Sequence, residues 1–205
     1  MQAILITDKP KWCRLMMNGD KTVEVRKGDK LYKATQKLID EYGYADIYVY
    51  CTKAHDFKDE IYLEDFVDKP INMPLGKTLL NGKIAFKFRC YKVEELSIKY
   101  GVGWQTKTIK GKEQVEKLTQ LSVFQLFEYC GRKTSTAIHI SYLEIFYKPK
   151  ELSEFYKAGA KEEYEHIMSI DETQAKPYID EFYKLTKAPQ SFCYVETGGY
   201  DNGSK

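Results

Sequence analysis

Lys21, Glu24 and Arg26 are the residues of this 205-residue chain whose types and spacing point most directly to chemistry. They stand in the octet Gly19-Asp20-Lys21-Thr22-Val23-Glu24-Val25-Arg26, where a turn glycine is followed by charges set among β-branched residues. The run from Thr22 to Arg26 alternates in strand fashion, so Glu24 and Arg26 share one face and Val23 and Val25 the other. Lys21 sits at the mouth of that strand, where a long side chain can swing toward either face. A carboxylate beside two cations can hold a phosphate, a base edge or a reacting water. The same residues also suit a plain edge strand, which carries Lys, Glu and Arg to stay soluble.

The elements that must position this cluster lie just upstream. Residues 3–7 read as a short buried strand. Pro10 then opens a helix through Met17, with Trp12, Leu15 and Met16 as its buried stripe and Asn18-Gly19 as a left-handed stop. Lys9 and Lys11 flank the proline, where outward N–H groups of the first turn also favour an anion.

The rest of the chain alternates elements and irregular stretches. Residues 31–42 fit an amphipathic helix, and 46–53 and 83–91 are strands, the latter with one apolar and one basic face. Residues 54–81 are irregular, broken by Pro70, Pro74 and Gly76. From 99 to 112 there are four lysines (Lys99, Lys107, Lys110, Lys112), Tyr100, Trp104 and no acidic residue. That stretch reads as a solvated loop or, more sharply, as an arm with cations for phosphates and aromatics for bases. Two short helices follow at 113–119 and 122–130, the second opened by a capping box of Ser122 and Gln125. Residues 137–146 form a strand containing His139, expected to be a satisfied core histidine. The acidic segment 151–187 reads as an appended helical hairpin, and 191–196 as a final strand.

Composition narrows the function classes. A net charge of +2 gives no global field for nucleic acid, so any such binding needs a local patch. Five cysteines without a CxxC pair, and only three histidines, draw no zinc pattern and suit reduced thiols in a cytoplasm-like compartment. The opening residues lack a basic signal-peptide region and no apolar run reaches membrane length, so a cytoplasmic protein without a membrane, metal or cofactor is expected.

The opening and the octet together resemble an ASCH domain, a branch of the PUA-like superfamily. The matching residues are Ile4-Leu5-Ile6, Lys9-Pro10-Lys11, and the pattern GxKxxExR filled by Gly19, Lys21, Glu24 and Arg26. The runs Ile138-His139-Ile140-Ser141 through Lys148-Pro149-Lys150-Glu151-Leu152, and Ala188 to Glu196, are similar to larger phage and prophage members. The resemblance implies an α+β fold: a mixed β-barrel of five to six strands with peripheral helices and a cleft between the first helix and the octet strand. The whole chain, 1–205, would be one such domain with a helical insertion at 151–187.

It also implies binding of RNA or handling of modified nucleosides, and one branch is an amidohydrolase acting on N4-acetylcytidine. That branch has a nucleophilic threonine where this chain has Glu24, so a covalent acyl route lacks its hydroxyl here. Paired with Glu24, Lys21 is expected to act as a cation rather than as a base. The favoured expectation is therefore an RNA- or nucleotide-binding module. Lys9, Lys11, Lys21 and Arg26 would hold phosphate, Glu24 would accept from a base edge and Trp12 would stack. Such binding should be salt-sensitive. The alternatives are a hydrolase of RNA or a modified nucleoside, with Glu24 activating water and Lys21 and Arg26 stabilising charge, and a protein partner docking on 151–187.

Overall fold

Runs of β-branched and aromatic residues pair here into two sheets with helices on their flanks. The computed structural model describes residues 2–68, 76–99, 103–170 and 176–197. The larger sheet contains β1 (Gln2–Asp8), β3 (Ala45–Cys51), β4 (Ile84–Cys90), β8 (Ser141–Lys150), β9 (Phe155–Lys157) and β10 (Phe192–Thr197), in the order β8-β4-β3-β1-β10-β9. The smaller contains β2 (Val23–Lys27), β5 (Val93–Lys99), β6 (Gly103–Gln105) and β7 (Ser135–His139), in the order β2-β7-β5-β6. The helices are α1 (Pro10–Met17), α2 (Lys30–Tyr42), α3 (Lys112–Thr119), α4 (Val123–Cys130), α5 (Lys161–Ile170) and α6 (Lys176–Tyr183).

β1 lies at the centre, parallel to β3 and antiparallel to β10, and is covered on both faces. Ile4 and Ile6 enter one core with Val49, Phe86, Phe88 and Ile138, while Ala3 and Leu5 enter another with Tyr48, Phe155 and Val195. This double burial explains why the strand reads as an unbroken apolar run. A third core fills the space between the smaller sheet and α3 and α4, and holds Val23, Val25, Trp104, Leu126 and Ala137.

The closed barrel of five to six strands is not formed. At one margin the two sheets are nearly continuous: β4 runs into β5 across Tyr91 and Lys92, and β7 into β8 across Ile140. β4 pairs with β8 on one side of that corner and β5 with β7 on the other. At the opposite margin β2 pairs only with β7, and no backbone ladder among the described residues joins it to the larger sheet. Cys13 and Met16 of α1 join the core of Ile4, Ile6 and Ile138 there, so helix packing covers that part of the core in place of strand pairing.

Other expectations shift for local reasons. The buried face of α1 is Pro10, Cys13 and Met16, which leaves Trp12 and Leu15 half-exposed. Residues 93–99, unassigned in the sequence, form β5. The 99–112 stretch is no free arm where it is described: Gly103–Gln105 is a strand, and Trp104 is 2% exposed in the third core. Tyr100, Pro70 and Pro74 lie outside the described residues.

His139 is not in an apolar core. It is half-buried, with Nε2 at 2.7 Å from Glu94 Oε2. The segment 151–187 is not helical throughout, because β9 adds an edge strand to the larger sheet before α5 and α6 begin. The Tyr164 hydroxyl donates to Asp180 Oδ1 at 2.7 Å, tying those two helices together. Tyr164 is buried, whereas Phe182 is largely exposed. No helix among the described residues is long and apolar enough to cross a membrane.

The placement of Trp104 gives a direct test. Trp104→Ala should destabilise the fold by about 3–5 kcal/mol, as for large aromatic truncations in a core, whereas an exposed loop residue would change stability by no more than about 0.5 kcal/mol. Urea unfolding curves of the two proteins distinguish these outcomes.

Candidate functional site

The octet is set in place by two neighbouring helix ends. Gly19, at φ +79°, turns the chain out of α1, and the Lys21 N–H donates to the Leu15 carbonyl at 3.0 Å. The next N–H, of Thr22, donates to the Leu118 carbonyl in the last turn of α3. Lys21 Nζ in turn donates to the Thr119 carbonyl at 2.6 Å. A cation at a helix C-terminus meets carbonyls that have no helical partner, which favours this seat. Lys21 is only 2% exposed, so its side chain is fixed and does not swing between faces.

Glu24 and Arg26 point to the face of β2 that also carries Ile138 and Thr136 of β7, and both are buried. Glu24 Oε2 lies 3.3 Å from Lys21 Nζ, and Oε1 lies 2.8 Å from Arg26 Nε, off the N–H direction. Arg26 then reaches across to β1, with Nη2 at 2.6 Å from Asp8 Oδ2 and Nη1 donating to the Thr7 carbonyl at 3.0 Å. The result is a buried chain of alternating charge, Lys21–Glu24–Arg26–Asp8. Each charge has a counter-charge in reach, as burial of ions demands.

Opposing effects meet at Asp8. Burial pushes its carboxyl up and Glu24 adds to this; Arg26 and Lys21 pull it down, and the balance leaves it at about 7. Burial works against the charge on Arg26, but Asp8 and Glu24 more than restore it, so the guanidinium binds its proton more tightly than usual.

These groups form one wall of a cleft of about 560 Å³. Lys9 stands exposed at its rim. Trp12 presents its ring, with Lys21 Nζ at 5.2 Å from the ring centroid and Lys11 Nζ at 4.8 Å. Five expected site residues (Lys9, Trp12, Lys21, Glu24, Arg26) thus converge, whereas Lys11 does not line the cleft. Three cations (Lys9, Lys21, Arg26) line it together with three carboxyl groups (Asp8, Glu24, Glu128), so cations do not outnumber acidic groups there.

Several lining residues escaped the sequence reading. Asp8 closes an apolar strand just before Lys9-Pro10, and it belongs to the cleft because β10 stops opposite Ile6 and leaves the end of β1 open there. Gln125, Glu128 and Tyr129 fall at i, i+3 and i+4 of α4, a polar face on an otherwise apolar helix that could have revealed them. Gln125 also caps that helix, its Oε1 accepting from Ser122 N at 2.9 Å. Gln190 comes from the segment before β10 and carried no signal of its own. Among the described residues, no group of three or more His, Cys, Asp or Glu is placed to hold a metal ion.

An α+β protein with a mixed-charge, aromatic-walled cleft is the class these observations define. No family model matches the sequence, and no curated protein does either. Among solved structures, the chain is similar to the ASCH protein of Zymomonas mobilis, with a TM-score of 0.48 and 14% identity over 95% of this chain and 87% of that one. A tyrosine-to-phenylalanine variant of that protein gives a TM-score of 0.47 at 14% identity, covering 95% of this chain and 90% of the other.

The state of Asp8 is open to measurement. The folded protein keeps this proton up to about pH 7, whereas the ordinary carboxyl releases it near 3.8. The folded state therefore binds more protons in that interval, and the stability Asp8 contributes, full below 3.8, is lost as pH rises through 7. The unfolding free energy of the wild type minus that of Asp8→Asn should fall from about pH 4 to about pH 7 and be level above. Urea titrations across that range check it; a difference that rises with pH would make Asp8 an ordinary ion-paired carboxylate.

Proposed function

We propose that the chain binds RNA, or a nucleotide or modified nucleoside, by holding a base in the cleft of Lys9, Trp12, Lys21, Glu24 and Arg26. The observation that carries this reading is the internal pairing of the buried cations beside an aromatic wall. Lys21 and Arg26 are committed to Glu24, Asp8 and backbone carbonyls, so neither is free to take a phosphate. What the cleft offers is the Trp12 ring, the Tyr129 hydroxyl, and the carboxylate and amide groups of Glu24, Gln125 and Gln190. A flat, uncharged group edged with donors and acceptors is complementary to that lining, and a nucleobase is such a group. The cleft volume of about 560 Å³ is also in the range of small-molecule sites. Lys9 on the rim is the cation left for a phosphate attached to that base. Lys21 sets the orientation of Glu24, and Arg26 that of both carboxylates.

Hydrolysis is the second reading, and it is favoured by Asp8. A cleft carboxyl that exchanges its proton at about pH 7 is matched to general acid–base work at neutral pH. Glu24, held between two cations, is a weaker candidate for activating water, so this role moves to Asp8. Arg26 and Lys21 would then stabilise negative charge developing on the substrate.

Trp12 supplies the probe. Titration with nucleosides, modified nucleosides and nucleotides should quench its fluorescence saturably, and Trp12→Leu should weaken nucleoside binding about 5- to 100-fold, the worth of one stacked base. A nucleoside carries no phosphate, so its affinity should change little with salt. Chromatography of the same samples reports any product, and product formation that persists in Asp8→Asn would remove Asp8 from a catalytic role. Absence of quenching by every base would sink the base-binding reading.

A further inference from the structure

A second groove lies on the other side of the smaller sheet, where β6 pairs only with Ser97–Lys99 and leaves the first half of β5 without a strand partner on that flank. The segment after β6 folds back over it and is fastened by one buried side chain, Glu94, which is 6% exposed. Glu94 accepts from Thr106 Oγ1 at 3.0 Å, from the Thr108 N–H at 2.9 Å and from Thr108 Oγ1 at 2.7 Å. His139 at 2.7 Å and Lys92 at 3.2 Å complete its surroundings. Burial pushes the Glu94 carboxyl up, but hydrogen bonds from Thr108, His139, Thr106 and Lys92 outweigh it and hold it down at about 2. The Thr106 N–H donates to the Ile109 carbonyl at 3.0 Å and Ile109 is buried, so this is a built turn.

The groove measures about 660 Å³ and is lined by four lysines, Lys92, Lys99, Lys107 and Lys110, against Glu94 and Glu95. The charge of Glu94 is already taken up within the turn. Among the described residues Lys99 and Lys107 carry no ion pair, and both are exposed. Lys110 Nζ donates to the Thr106 carbonyl at 2.6 Å, which fixes the ammonium without neutralising it. Lys92 is paired with Glu94, which leaves Lys99, Lys107 and Lys110 facing the one further carboxylate of Glu95, an excess of positive charge that favours an anionic ligand.

We infer that this lysine groove binds the phosphate backbone of single-stranded RNA, at a site separate from the base-holding cleft. The inference rests on the reading of the chain as a nucleic-acid binder and adds further phosphate contacts to the one that Lys9 offers at the cleft. Point-charge lysines spread along an open groove suit a string of phosphates, whereas a single anion would call for a guanidinium fork. An acidic peptide is the poorer occupant, since the lining is polar and offers no apolar pocket for side-chain anchors. Trp104 is turned into the core, so Tyr32 is the aromatic side chain on the lining of the groove.

The test compares wild type with the double variant Lys99→Gln/Lys107→Gln. Anisotropy of a labelled oligouridylate is read from low to moderate salt, and nucleoside quenching of Trp12 is read in parallel. Losing two phosphate contacts should lower RNA affinity about tenfold at low salt and make the slope of log affinity against log salt shallower by about 1.4, with nucleoside quenching unchanged. RNA affinity and slope that match the wild type would overturn the groove. Competition by polyglutamate as effective as that by unlabelled RNA would overturn the assignment to RNA. If no nucleoside quenches Trp12 while the lysine-dependent RNA slope is present, the cleft reading fails and the groove stands.

Discussion

The buried charge chain Lys21–Glu24–Arg26–Asp8 is the constraint on which the rest of the structure depends. The two sheets share a corner at Tyr91-Lys92 and Ile140, but on the far side no backbone ladder connects β2 to β1. Arg26 spans that seam, bonding to Asp8 and to the Thr7 carbonyl, while Lys21 ties the start of the octet to the end of α3. Four ionisable groups withdrawn from water are costly unless mutually paired, and removal of one leaves a neighbour buried with no counter-charge. The same contacts that hold the seam shape the cleft wall, so a change to the site is also a change to the fold.

Charge is distributed between two places with different chemistry. In the cleft the buried cations Lys21 and Arg26 are bonded to Glu24, Asp8 and backbone carbonyls, and the Trp12 ring lies beside them. In the groove beside β5, the cations exceed the carboxylates, and the most buried carboxylate is spent on fastening a turn. A nearly neutral chain of net charge +2 thus carries both a cleft of internally paired charges and a lysine-rich groove.

Much of the site was legible in the sequence because it rests on local patterns. The alternation of Thr22 to Arg26 placed Glu24 and Arg26 on one face, and Pro10 and Gly19 marked both ends of α1. What could not be read depended on distant partners. Asp8 belongs to the site because β10 leaves the end of β1 open there and Arg26, 18 residues on, crosses to it. The burial of Trp104 depends on α3 and α4 closing over the smaller sheet, which no feature of a glycine- and lysine-rich stretch announces. The stripe on α1 was misplaced by part of a turn, since Cys13 packs inward where Trp12 and Leu15 were expected. A closed barrel was inferred from resemblance, whereas the pairing partners of β2 are set by tertiary packing that propensity does not encode.

The antiparallel pairing of β1 with β10 sets Gln2 beside Glu196, and the Thr7 hydroxyl donates to the Pro189 carbonyl across 182 residues of sequence. Contacts of such separation close late, because the entropy of a long loop must be lost before they form. During synthesis the octet, α1 and the two helices behind it emerge well before the partner strand. Until β10 is released, the central strand has one edge without its ladder and the cleft is missing the wall that carries Gln190. The cleft is thus complete only once β10 is in register, and until then the apolar run of residues 3–6 presents an unpaired strand edge.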